Sequence, residues 1–165
     1  MSLVVNLAVL AEGAATDARG NLTLVAVNPQ ILIPDELPAQ FSPIFVVVVQ
    51  DDESEPSVIV AGRTVTARVE ATGPDDAVVF FAQLRQAVLP TPHPTMYGRV
   101  QVIAQIPFTA GKAGNYTVSA RVAIVGAREE VQGEVTATRS VKVADAASLR
   151  PKTALSDSEI DSQQA

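Results

Sequence analysis

The chain has 165 residues, with 12 Lys and Arg against 18 Asp and Glu for a formal net charge of -6, a single His and no Cys. That length holds one domain with a proper core, and the missing thiols exclude disulfides, thiolate nucleophiles and cysteine metal sites, while one His excludes a multi-histidine cage. The acidic balance and the scattered basic residues argue against a nucleic-acid binder, which carries a basic patch or stripe.

Hydrophobic residues make up 47% of the chain but lean to Val and Ala, with 4% aromatic and eleven Pro, a mix that favours strands. Residues 3–11 are apolar. No Lys or Arg precedes them, Asn6 interrupts them, and they are too short to span a membrane, so they read as a first strand rather than a signal peptide. Without a signal or cysteine, the cytoplasm is the default compartment. Residues 12–21, rich in Gly, Asp and Asn, reverse the chain into a second strand at 22–27, which Asn28 and Pro29 break; residues 30–33 continue extended at an edge. Pro34, Pro38 and Pro43 mark a loop.

Residues 44–49 are continuously apolar, as expected of a central strand covered on both faces or lying at a subunit contact. The acidic run at 51–56 closes it. Residues 63–71 alternate, with Val65, Ala67, Val69 and Ala71 inward, and Gly73, Pro74, Asp75 and Asp76 form a turn. Residues 77–84 read as a strand, although their loose alternation leaves a short helix as the alternative. Three alternate prolines then give 89–95 an extended, irregular path. Residues 99–108 return to alternation and are expected to pair across 109–114 with the next strand.

That next strand, within 113–125, sets Tyr116, Val118, Ala120, Val122 and Ile124 on one face. A Gly-Asn turn followed at once by Tyr is how a late strand of many antiparallel sandwiches begins, the ring packed inside and the hydroxyl bonded to the backbone of the preceding loop. Residues 134–143 supply a final strand whose inward series includes Arg139, so its charged end must snorkel to solvent or meet a partner. About eight strands at short spacing predict an all-β, antiparallel two-sheet β-sandwich of immunoglobulin-like, Greek-key type over residues 1–144. Residues 145–165 read as a flexible polar tail: only Leu149, Leu155 and Ile160 are large and apolar, and Ser156 and Glu159 have the spacing of a capping box.

Two stretches carry a resemblance: residues 10–14 with 20–24, and residues 114–118. Together they resemble a family of small, uncharacterised bacterial β-sandwich proteins that open with a strand ending Ala-Asp, turn through Gly-Lys-Leu, and close on a Tyr-led strand. Glu12 stands here for the usual Asp and Asn21 for the Lys. The resemblance implies the fold and no activity.

Chemistry is sparse. His93 is the one candidate for acid-base work near neutral pH, but it lies between prolines, and no Gly-x-Ser-x-Gly elbow accompanies it. Asp51, Asp52, Glu53 and Glu55 could offer carboxylates to Ca²⁺, yet lack the spacing of a defined calcium loop, and a solvated turn needs no ion. Asn21 and Asn115 begin glycosylation sequons and serve turns equally well. The reading is therefore a non-catalytic structural or protein-interaction module, with no cofactor, no nucleic acid and no membrane. A small-ligand or Ca²⁺-binding sandwich is the alternative, and a hydrolase ranks last.

Self-association follows from a mismatch between apolar content and size. A mean hydropathy of +0.23 is high, and residues 44–49 and 78–81 offer apolar side chains of both strand parities. A sandwich buries one face of each strand; a long loop such as 86–97 could lie over one outer face, but its prolines limit what it can seal, so a second subunit is the expected cover, in a two-fold homodimer centred on the Phe45 or the Phe80-Phe81 strand.

Overall fold

The computed structural model describes residues 3–19, 21–52, 57–88 and 98–146. Two antiparallel sheets face each other. The smaller is made of β1 (Leu3–Ala11), β6 (Ile44–Asp51) and β9 (Arg99–Gln105) in the order β1-β6-β9. The larger runs β4 (Ile31–Leu32), β12 (Val131–Val143), β11 (Gly114–Val125), β7 (Thr64–Thr72), β8 (Val78–Ala87). The chain crosses between sheets from β6 to β7, from β8 to β9 and from β9 to β11, which is the immunoglobulin-like arrangement. Two short antiparallel pairs complete it: the hairpin of β2 (Gly13–Thr16) with β3 (Leu22–Val25), and the long-range pair of β5 (Ala39–Phe41) with β10 (Phe108–Ala110).

Alternation builds the core. Val65, Ala67, Val69 and Ala71 of β7, Tyr116, Val118, Ala120, Val122 and Ile124 of β11, and Phe45, Val47 and Val49 of β6 join one buried cluster between the sheets. In β1 the period shifts at Asn6, where a bulge between Val5 and Leu7 lets Leu3 and Val5 face inward before it and Ala8 and Leu10 after it. The residue that broke the apolar run in sequence is thus the one the bulge absorbs.

The opposite side of β6 is also covered. Val46 and Val48 are fully buried with Val9, against Leu7, Ala14, Leu22, Leu24 and Ile44. The β2-β3 hairpin therefore closes the outer face of the small sheet from within the chain. Asp17 fixes that hairpin, its carboxylate accepting from the amides of Arg19 and Asn21 at 2.8 and 2.9 Å and from the Asn21 side chain at 2.8 Å.

Three expectations change. The strand at 22–25 pairs with β2 and not with β1, because 13–16 extend a second short strand where a loop is expected. The alternating stretch 99–108 is two strands: Ile106 and Pro107 end β9, Ile106 donating its amide to Pro43 O at 2.8 Å, and Pro107 has no amide to continue the ladder. Consequently β9 pairs with β6 and β10 with β5, and neither forms the expected hairpin with β11, whose neighbours are β7 and β12. The proline-marked loop holds a strand of its own, β5, and residues 31–32 lie at the sheet edge as expected, but parallel to β12. The stretch expected at 77–84 is strand from Val78 and continues to Ala87.

Tyr116 is the anchor its position suggests. Its hydroxyl donates to Lys112 O at 3.0 Å, and its ring, 2% exposed, stacks on Phe108 with centroids 5.2 Å apart; Phe108 in turn meets Phe41 at 5.6 Å. Gly114 enters β11 at φ +147°, and a Cβ there would lie 2.5 Å from Pro74 Cγ, so only glycine lets the two turns close on each other. Lys112 also pairs with Asp75. Arg139, on the inward register of β12, is exposed and turns back to donate to Thr138 O at 2.9 Å. The tail beyond residue 146 lies outside the described residues.

Two outcomes follow. In denaturant unfolding, Tyr116→Phe is expected to cost about 1 kcal/mol and Tyr116→Ala about 3–5 kcal/mol; unchanged stability in the alanine variant would contradict the anchoring role. Leu24→Ala is expected to cost about 1–2 kcal/mol by thinning the cover over Val46 and Val48, whereas a hairpin that did not pack there would leave stability unaltered.

Candidate interaction surface

The larger sheet is wider than the smaller one, and β8 is its free edge. On one side β8 is paired with β7 from Thr72↔Val78 to Thr64↔Ala87; on the other it has no strand among the described residues. Ten residues of unpaired edge are unusual, because such an edge invites pairing with another chain and is normally shortened, covered or charged. Here it is apolar over its first half. Val78 is 56% exposed, Phe81 49% and Leu84 39%, while Val79 and Phe80 pack against the core.

The local sequence explains that split. A bulge between Ala71 and Thr72 opposes Val78 to Thr72 and Phe80 to Ala71, so Phe80 follows the inward series of β7 and Phe81, opposite Glu70, points out. Ala82 opposite Val69 is the last residue of β8 that is not exposed. Asp76, in the turn before β8, holds φ +58° and has no ion-pair partner among the described residues.

Beside Phe81 the outer face of the sheet carries paired charges. The Arg68 guanidinium sits 4.9 Å over the Phe81 ring and meets Glu70 at 3.1 Å. Arg85 meets Glu129 at 2.5 Å, and Arg121 meets Glu134 at 2.7 Å. Arg68 and Arg121 stand directly opposite across the β7-β11 ladder, a repulsive arrangement that their own carboxylates offset. The Glu134 hydrogen bond, with its charge, raises the pKa of Arg121 above its already high ordinary value. Arg68, Arg85, Arg121 and Glu134 border a groove of about 360 Å³ that runs from β8 to β12.

The carboxylates named from sequence fall elsewhere. Asp51, the last residue of β6, accepts hydrogen bonds from Ser57 Oγ, from Val58 N at 2.8 Å and from Ile59 N at 3.2 Å, and so pins the segment that drops Val58 and Ile59 into the core. Asp52 is half-buried. Glu53, Glu55 and His93 lie outside the described residues. Among the described residues no group of three or more His, Cys, Asp or Glu is placed to hold a metal ion. Asn21 serves the hairpin turn, and Asn115 lies in β11 opposite Lys142. A second opening, of about 670 Å³, lies between the β5-β10 pair and the start of β8 and is lined by Phe41, Val79 and Phe108 with Gln40, Ser42 and Thr109.

No protein-family model matches this chain, and no curated protein does. Among solved structures, a glycosyl hydrolase family 2 (GH2) member from Bacteroides cellulosilyticus is similar in part, at 9% identity and a TM-score of 0.41, over 62% of this chain and 13% of that one. The likeness carries nothing about activity. No helix among the described residues is long and apolar enough to cross a membrane.

Asp51→Ala removes the acceptor for three neighbouring donors and is expected to cost about 2–4 kcal/mol in thermal or denaturant unfolding; a neutral effect would show that the 57–59 segment is held by burial alone.

Proposed function

We propose that the protein is a non-catalytic interaction module that engages a protein partner through the free edge of β8. The observation that supports this reading is the coincidence, on one strand, of a backbone edge unpaired among the described residues with exposed Val78, Phe81 and Leu84. An added strand would satisfy that backbone, and its side chains would cover the apolar ones, which is the usual physics of recognition by strand addition. The ion-paired arginines beside it would form the polar rim that such interfaces carry around an apolar centre.

A small-ligand reading rests on the opening between the β5-β10 pair and β8, whose aromatic wall is continuous with the Tyr116 stack. It ranks second because the opening is shallow and its polar lining is a few amide and hydroxyl groups, with no charged side chain to orient a ligand.

A photoreactive amino acid placed at Gln83, exposed on β8, tests the first reading in cells that make this chain. Discrete cross-links to protein, lost when the label is moved to Thr138 on the far side of the sheet, are the expected result. An unlinked chain at Gln83 would overturn the reading.

A further inference from the structure

On the reading that β8 is the interaction edge, we infer that its occupant is a second copy of this chain, bound antiparallel about a two-fold axis at Phe81. The segment has the symmetry such a pair requires. Two strands of identical sequence pair antiparallel with every residue i opposite a residue j and every j opposite an i, so a strand pairs well with itself when its two ends carry opposite features and its middle is apolar.

β8 and its preceding turn fit that pattern. The turn brings Asp76 in, the strand opens Val78, Val79, Phe80, Phe81, Ala82, and the far half carries Arg85. Arg85 lies four residues after Phe81. Asp76 lies five before it, and one of those five is taken up by the bulge between the Ala71 and Thr72 pairings. With Phe81 beside the partner's Phe81, Arg85 falls at the start of the partner's β8, beside the turn that carries Asp76. That Asp has no ion-pair partner of its own among the described residues, and the Arg85 bridge to Glu129 is exposed on both sides, so it can share.

The packing agrees with the charge. On the outer face the two Phe81 rings meet at the axis, each already backed by an Arg68 guanidinium. On the inner face Phe80 lies opposite the partner's Ala82, a large side chain against a small one. The outer face of β6, the other apolar surface the sequence offers for association, is occupied by the β2-β3 hairpin and leaves β8 as the open one.

The chain has no cysteine, which makes a covalent test clean. Directly opposed residues of an antiparallel pair have Cα atoms about 4.5–5.5 Å apart, within the span of a disulfide. Light scattering behind size exclusion on the untagged chain is expected to show a mass rising from monomer toward dimer over a roughly hundredfold range of concentration. Phe81→Cys under mild oxidation is expected to give a disulfide-linked dimer in high yield, while Ser119→Cys, in the middle of the sheet, stays monomeric. Arg85→Glu is expected to raise the dimer dissociation constant about tenfold or more, and adding Asp76→Lys to bring most of that loss back, as swapped partners do.

A monomer at every concentration overturns the inference, as does a dimer that neither Phe81→Cys captures nor Arg85→Glu weakens. Should Phe81→Cys fold poorly, the Arg85 and Asp76 swap, made at exposed positions, decides alone. A chain that is monomeric in isolation yet cross-links from Gln83 to a different protein contradicts the second copy while leaving β8 as the interaction edge.

Discussion

The strand Ile44–Asp51 has apolar side chains on both of its faces, and the rest of the architecture is arranged to keep both from water. Facing the larger sheet, Phe45, Val47 and Val49 meet the inward series of β7 and β11. Facing away, Val46 and Val48 need a second layer, which an ordinary sandwich does not supply. The chain makes that layer by turning β1 into a hairpin at Glu12, laying Leu22 and Leu24 over the valines and returning to β1, where Asn28 N donates to Leu10 O at 2.6 Å and its side chain accepts from Leu10 N. Burial of these branched side chains stabilises by about 1.5–3 kcal/mol each, enough to justify ordering a short two-stranded hairpin that could not stand by itself.

A second constraint acts at the opposite end of the core. Loop 111–114, tied to β11 by the Tyr116 hydroxyl, is locked to turn 73–76 by the contact of Gly114 with Pro74 and by Lys112 with Asp75. The turn they hold is the one that launches β8. The free edge is therefore presented on a rigid base, and an edge held rigid loses less entropy when a partner strand adds to it.

Much of the sandwich could be read from residues alone. Period-two runs located β7, β9, β11 and β12, and the Gly-Asn-Tyr start of β11 pointed to the anchored tyrosine with its bonded hydroxyl. The continuous run at 44–49 correctly implied cover on both faces, but nothing local says whether that cover comes from the same chain or another; only the tertiary path of residues 13–25 answers it. The hairpin expected between 99–108 and β11 failed because adjacency in sequence is a weak guide where a proline sits, and Pro107 diverts the chain between sheets. Asp51 offered a carboxylate in an acidic run, and sequence could not show that its neighbours' amides would claim it. For β8 the signal was present but ambiguous. Adjacent Phe80 and Phe81 break strict alternation, and that break is the mark of a strand whose one ring goes to the core and the other to the surface.

Amide hydrogen exchange, followed residue by residue as protein concentration is raised, measures both halves of this picture at once. Amides of Ile44–Asp51 are expected to exchange only through global unfolding at every concentration, since their cover is intramolecular. Those of Val78–Ala87 that point away from β7 are expected to exchange rapidly at dilution and to slow as the concentration rises. Slow exchange along β8 that is independent of concentration, or protection of β6 that depends on it, would contradict the assignment of the hairpin as cover and of β8 as the open edge.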